Sequence, residues 1–246
     1  MISDVSKFIS KLDKLNNTKF EVFVPSLNKK VETKALNLKQ QKDLIAPALD
    51  GIRGTLNFSK TLNNVIIDNS GLNDLKIYDR LPFAIQLRKE ALGNKIQTND
   101  GEVELHKILN NIKENSFNIA PEQTVRHENL TIHLKVPTLQ QENILLTNCI
   151  QTISTLNDDL TEHVGILYLV EIVKYIDSLK IDDEVVDMSE IKIEERIKLV
   201  ERLPLAIYRD ISEFIATVNK YENDILTVGG VLITIDSLFF DSSSDE

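Results

Sequence analysis

The residues able to ligate a metal or move a proton are few and dispersed in this chain. Its four histidines are His106, His127, His133 and His163. Only His127 and His133 lie close together, and their spacing across a turn and a strand matches no metal-ligand geometry. Asp158-Asp159-Glu162 and Asp182-Asp183-Glu184 gather carboxylates as a cation site does. Neither has the glycine and closing glutamate that shape a calcium loop, so the first reads as a helix start and the second as a solvated turn. Cys149 sits in an apolar run without a basic neighbour to lower its pKa, which makes it a small core residue rather than a nucleophile. No phosphate-cradling glycine loop, HExxH helix or GxSxG elbow occurs. The expectation is a protein without catalytic residues, metal or cofactor, and not an enzyme.

Charge and hydropathy narrow the class further. The 246 residues are 42% hydrophobic, enough for a substantial core in one large or two small domains. No apolar run is long enough to cross a membrane, and the first residues lack the basic start and apolar centre of a secretory signal. With one cysteine no internal disulfide can form, and a reducing cytoplasm is expected. Up to residue 122 there are 18 basic and 15 acidic residues, beyond it 10 and 23, giving +3 and −13. That balance argues against a nucleic-acid binder, whose phosphate affinity rests on clustered lysine and arginine. The acidic half suits either a basic protein partner or a solvated face.

The elements follow from periodicity. Val5, Phe8, Ile9, Leu12 and Leu15 form an amphipathic helix over 3–15 with Ser3 as N-cap. Phe20, Val22 and Val24 alternate, and with Val31–Leu36 make a β-hairpin about Pro25–Lys30. Helices follow over Leu38–Leu49 and Asn57–Ile67. The stretch Gln97–Glu128 is broken by Gly101, Asn110, Asn111, Asn115 and Pro121, leaving Val103–Ile112 as helix or strand. Leu130, Ile132 and Leu134 alternate as a half-exposed strand, then Leu139–Leu156 turns helical. Asn157-Asp158-Asp159 is a helix start ahead of Leu160–Leu179, the expected central helix of a second lobe. Glu190–Glu201 continues the pattern, and a hairpin about Gly229-Gly230 precedes the polar tail DSSSDE. The fold class is α+β, predominantly helical with short β-hairpins, divided as 1–122 and 123–246.

One stretch recurs. YDRLPFAIQLRKEALGNK from Tyr78 carries a Leu-Pro helix over 81–92, and VERLPLAIYRDISEFIA from Val200 repeats it more weakly. Proline suits a first helical turn, which has no acceptor for its missing N–H, and Asp79 and Glu201 complement the helix dipole. FEVFVPSL (Phe20–Leu27) is echoed in the same way by LTIHLKVPTL (Leu130–Leu139). Duplication of one half into two related lobes and chance similarity both account for such short matches.

VPSLNKKVETKALNLKQQKDLI (Val24–Ile45), LKIYDRLPFAIQLRKEALGN (Leu75–Asn94), LTIHLKVPTL (Leu130–Leu139) and ITIDSLFF (Ile233–Phe240) together make the chain resemble the T4-type bacteriophage baseplate protein family. Leu27 stands where such proteins often have glycine, and Gln40-Gln41 where they have Glu-Glu. The resemblance implies a non-enzymatic protein of a contractile tail. It would be a baseplate hub subunit in the virion tail, or a hub assembly chaperone active in the host cytoplasm and absent from the virion. Its partners would be other hub or tail proteins. Candidate contact residues are Arg80 and Arg88, Lys29 and Lys30 at the hairpin tip, and Leu238, Phe239 and Phe240. Against this, arginines also satisfy internal carboxylates, and terminal aromatics also fill cores.

Overall fold

In the computed structural model, residues 7–8, 18–98, 101–114, 119–155, 160–228 and 230–241 are described. Of the amphipathic helix expected over 3–15, only Lys7 and Phe8 fall in this set, and both are helical. The cap Asn157-Asp158-Asp159, Gly229 and the tail 242–246 lie outside it.

β1 (Lys19–Val24) and β2 (Lys29–Lys34) pair antiparallel with Val22 opposite Val31. Pro25–Leu27 form a 3-10 turn between them, closed by Asn28 at φ +46°, a left-handed conformation that asparagine tolerates better than most residues. α1 (Leu38–Ile45) starts in a capping box: Gln40 N–H donates to Asn37 Oδ1 at 2.9 Å, and Asn37 N–H to Gln40 Oε1 at 3.1 Å. α2 spans Gly51–Ser70, longer at both ends than the periodicity of 57–67 indicated, and stops at Gly71 with φ +70°. α3 is Arg80–Leu92, ended by Gly93.

The unsettled stretch after it divides into a hairpin, β3 (Lys95–Thr98) and β4 (Gly101–Glu104), and α4 (Leu105–Glu114). A four-stranded antiparallel sheet follows from β5 (Glu122–His127), β6 (Leu130–Lys135), β7 (Ile176–Ile181) and β8 (Glu184–Asp187), in spatial order β5-β6-β7-β8. Between β6 and β7 run α5 (Leu139–Thr155) and α6 (Leu160–Val173). α7 (Ile193–Val200), α8 (Leu205–Leu226), the short pair β9 (Thr227–Val228) and β10 (Val231–Leu232), and a 3-10 turn at Ser237–Phe240 complete the order.

Three expectations need correction. The run 160–179 is not one helix: α6 stops at Val173, and Ile176–Ile181 is β7. Pairing decides the break, because Lys135 N–H donates to Tyr175 O at 2.8 Å and draws the chain into the sheet. The solvated turn read at Asp182-Asp183-Glu184 is narrower than expected: it is the two residues Asp182-Asp183, and Glu184 already belongs to β8. The hairpin expected about Gly229-Gly230 is limited to the two-residue strands β9 and β10, and the rest of the last apolar run ends in a 3-10 turn, capped by the Asp236 carboxylate on the N–H groups of Leu238 and Phe239 at 2.9 and 3.2 Å.

The two Leu-Pro sites also differ. Pro82 lies in the first turn of α3, whereas Pro204 is the N-cap of α8. The Val-Pro sites stand at different points too: Pro25 lies between the strands of a hairpin, and Pro137 lies between β6 and α5. The core is continuous across residue 122. Leu75–Ile77 clasps Pro137–Leu139 through Leu139 N–H to Leu75 O at 2.8 Å and Ile77 N–H to Pro137 O at 3.1 Å, and α2 packs along α5.

Both hairpins of the four-stranded sheet turn on two residues, Glu128-Asn129 and Asp182-Asp183, and the turns are tied by Asp182 N–H to Asn129 O at 3.2 Å. Glu128 sits at φ +52° and Asp182 at φ +51°, where a β-carbon costs energy. Glu128→Gly is expected to stabilise the chain by about 0.5–1 kcal/mol, the relieved strain being partly offset by unfolded-state entropy. Urea denaturation at neutral pH checks this; a destabilised variant would show that the turn is not strained.

Candidate functional site

The residues expected at a protein interface divide into surface and core. Lys29 and Lys30 are exposed on β2, with Lys30 Nζ 2.6 Å from Glu21. Leu238 is 55% exposed. Arg88, Phe239 and Phe240 are buried. The 3-10 turn carries both phenylalanines inward: Phe240 meets Phe58 at 6.2 Å between ring centroids, and Phe239 stacks edge-on against Phe240 at 5.3 Å. The Arg88 guanidinium lies 5.6 Å from the Phe239 ring centre, a cation–π contact in an apolar setting. The structure thus brings Arg88 together with the terminal aromatics as core.

Arg80 also turns inward, to a buried charge cluster. Its Nη1 is 3.0 Å from Glu142 Oε2 and its Nη2 3.3 Å from Oε1, a forked pair between α3 and α5. Lys174, at the end of α6, is 3.6 Å from the same carboxylate and 2.8 Å from Glu171. Asn63 of α2 donates to Glu142 Oε2 at 2.8 Å. Burial pushes the Glu142 carboxyl up, but the attraction of Arg80 and Lys174 and the bonds from Asn63 and Arg80 outweigh it and bring its pKa down to about 2. Burial opposes the charge on Lys174, and Glu171 and Glu142 overcome it and raise its pKa. Glu222 on α8 is raised by burial, against the pull of Arg80 and Lys174.

Next to this cluster is a cavity of about 140 Å³ lined by Glu142, Ile144, Lys174, Asp177, Met188 and Arg196, among others. A carboxyl held near pKa 2 is a poor proton carrier at neutral pH. The Cys149 thiol is pushed up to about 11 by burial and stays protonated. His127 and His133 stand toward opposite ends of their hairpin, opposite Leu130 and Thr124. Among the described residues no three or more His, Cys, Asp or Glu side chains are grouped to hold a metal ion.

The candidate site is on α6, the segment expected to be buried. Its sequence LTEHVGILYLVEIV is apolar nearly all round, a pattern proper to a helix covered on every side. Yet Val164 is 57% and Tyr168 52% exposed, one turn apart on the same face. Gly165 lies exposed beside them, and a β-carbon there would meet nothing, although glycine inside a helix costs roughly 1 kcal/mol. The face extends onto α8: Tyr168 and Tyr208 have ring centroids 6.1 Å apart with their hydroxyls hydrogen-bonded, and Leu205 is 82% exposed. The result is a continuous apolar and aromatic surface with a notch in it, of the type that protein partners cover. The lack of any polar stripe in α6 was the available signal for it. Sequence periodicity alone assigned that helix to the core.

The family described as T4 bacteriophage base plate protein matches residues 15–227 of the chain. No curated protein and no solved structure matches it.

Proposed function

The chain belongs to the T4 bacteriophage base plate protein family, and from that membership we propose that it is a non-enzymatic hub component of a contractile-tail baseplate, working through protein–protein interfaces. As a baseplate protein it acts with other phage baseplate proteins, and no helix among the described residues is long and apolar enough to cross a membrane. The observation that carries the reading is the uncovered face of Val164, Tyr168, Leu205 and Tyr208. An apolar helix with a bare side is completed by a partner, and aromatic anchors supply much of the energy at such contacts. The buried cluster of Arg80, Glu142 and Lys174 joins α3, α5 and the end of α6, the helix that carries part of that face. Lys29, Lys30 and Leu238 remain as accessible contact residues elsewhere on the surface.

Mass spectrometry of purified particles tests the hub assignment. Presence at a fixed ratio to other baseplate proteins supports a subunit. Absence from particles, combined with failure to assemble tails without the protein, supports an assembly chaperone that leaves before completion. Leu205→Asp tests the face. Because it puts a carboxylate at the start of α8, where the helix dipole favours it, folding stability is expected to change by less than about 0.5 kcal/mol. Recovery of other baseplate proteins with the tagged variant is expected to fall about tenfold or more; undiminished recovery would remove the face from the proposal.

A further inference from the structure

β8 closes one side of the four-stranded sheet, and among the described residues β7 is its only strand neighbour. Its register is Ile181 opposite Glu184, Lys180 opposite Val185, Leu179 opposite Val186 and Ser178 opposite Asp187. The pair flanking a two-residue turn exchanges both ladder hydrogen bonds, and alternation then turns the N–H and C=O of Val185 and Asp187 away from β7. Among the described residues no other strand pairs with that outer side; the Asp187 C=O serves the 3-10 turn Met188–Glu190 that it caps, which leaves the N–H and C=O of Val185 and the N–H of Asp187 facing outward. Val185 is 62% exposed, so the open edge carries an apolar side chain as well as outward backbone groups.

An open edge invites pairing with another strand, and its surroundings decide which strands are admitted. From Asp177 to Glu195 there are eight acidic and two basic residues. Asp182, Asp183, Glu184, Asp187 and Glu190 are all exposed on or next to the hairpin. A second copy of this edge would set carboxylates against carboxylates, which repels. A lysine- or arginine-bearing strand would meet complementary charge, and its apolar side chains would lie against Val185.

We propose that β8 is a strand-addition site for a basic, extended segment of a partner protein. Backbone pairing through the N–H and C=O of Val185 and the N–H of Asp187 holds the segment, the acidic turn selects its charge, and Val185 gives an apolar contact on alternate residues. The site is separate from the face of α6 and α8 and does not depend on the hub assignment, since it is tested on the purified chain alone.

The probe is a hexapeptide of alternating lysine and valine, with one of alternating glutamate and valine as its counterpart. With the basic peptide in excess, amide hydrogen exchange at Val185 and Asp187 is expected to slow about tenfold or more, and the acidic peptide is expected to have no effect. Val185→Pro removes an outward N–H without breaking a bond to β7, so its melting temperature stays near that of the parent while peptide affinity drops about tenfold. Asp183→Lys combined with Glu184→Lys lowers the affinity at least as much with every backbone group kept. Unchanged exchange in the parent, equal binding by Val185→Pro, equal binding of the acidic peptide, or dimerisation through this edge without peptide would each overturn the proposal.

Discussion

Glu142→Leu is expected to cost about 3–5 kcal/mol, because it leaves Arg80 and Lys174 buried without their shared carboxylate. In a chain of this size that lowers the melting temperature by roughly 10 °C. The loss measures chiefly the stranded Arg80, since Lys174 keeps Glu171 at 2.8 Å, rather than the net worth of an ion pair, and a cycle of variants separates the two. Arg80→Met alone leaves Glu142 with Lys174 and Asn63 and costs less. Combined with Glu142→Leu it fills the space with apolar atoms and is expected to recover a large part of the stability, so the two changes are far from additive. Thermal denaturation of the four proteins gives the coupling directly. A cost below about 1 kcal/mol for Glu142→Leu would mean that water reaches the cluster and that it does not hold α3, α5 and α6 together.

Acid gives an independent reading of the same group. The folded pKa of Glu142, about 2, lies below its unfolded value near 4.3, so its contribution is present above the unfolded pKa and is lost as pH falls through the folded one. Between about pH 4.5 and pH 2 the parent therefore loses about 3 kcal/mol that Glu142→Leu has already lost. The gap between the two proteins should close over that window. Glu222 has the opposite sign: its pKa is raised by burial, so its contribution is present below the unfolded pKa and is lost as pH rises through the folded one. Glu222→Gln is accordingly neutral or stabilising above neutrality.

What the sequence made legible is mostly local. The hairpin at Phe20–Leu36 and the Leu-Pro helix over 81–92 rest on interactions within a few residues and form where the pattern placed them, and the cap at Asn37 and the glycine stops at Gly71 and Gly93, found in the structure, are of the same local kind. Longer-range choices were not legible. Nothing in Lys174-Tyr175-Ile176 breaks a helix locally; β6, forty residues upstream, ends α6 by taking Tyr175 into the sheet. Arg80 and Arg88 are alike in sequence, eight residues apart on one helix, and both are drawn inward, one by Glu142 and the other by Phe239. Phe239 and Phe240 are adjacent yet both buried because Asp236 caps a 3-10 turn over Ser237–Phe240 and the alternation of a strand is lost. The face at Val164 and Tyr168 was hidden for a related reason: an all-apolar helix reads as buried, and only the position of its neighbours shows which side they leave bare.

Asp79→Ala is expected to cost about 3 kcal/mol, through three donors left without their acceptor. The fully buried carboxylate takes Ser26 N–H at 2.9 Å on Oδ1, and Ser26 Oγ–H at 2.5 Å and Lys76 N–H at 2.7 Å on Oδ2. Asp79 therefore fastens the tip of the β1–β2 hairpin to the entry of α3, while Arg80 beside it reaches the charge cluster. Adjacent residues of the Asp-Arg-Leu-Pro stretch tie α3 to two different parts of the molecule. Ser26→Ala removes one of the three bonds and costs about 1 kcal/mol, and in the double variant the Ser26 change should add little, since its acceptor has already gone. Burial raises the pKa of Asp79, and the bonds from Ser26 and Lys76 offset this without reversing it. Its contribution is then greatest below the unfolded pKa and shrinks as pH rises through the folded one, so the gap between parent and Asp79→Ala is wider in mild acid than at neutrality. Fully additive losses from Ser26→Ala and Asp79→Ala, or a gap that widens with pH, would show that the hairpin is not held by this carboxylate. If it is, loosening it detaches Lys29 and Lys30 from the scaffold that positions them, and amide exchange in β1 and β2 rises before exchange in the four-stranded sheet.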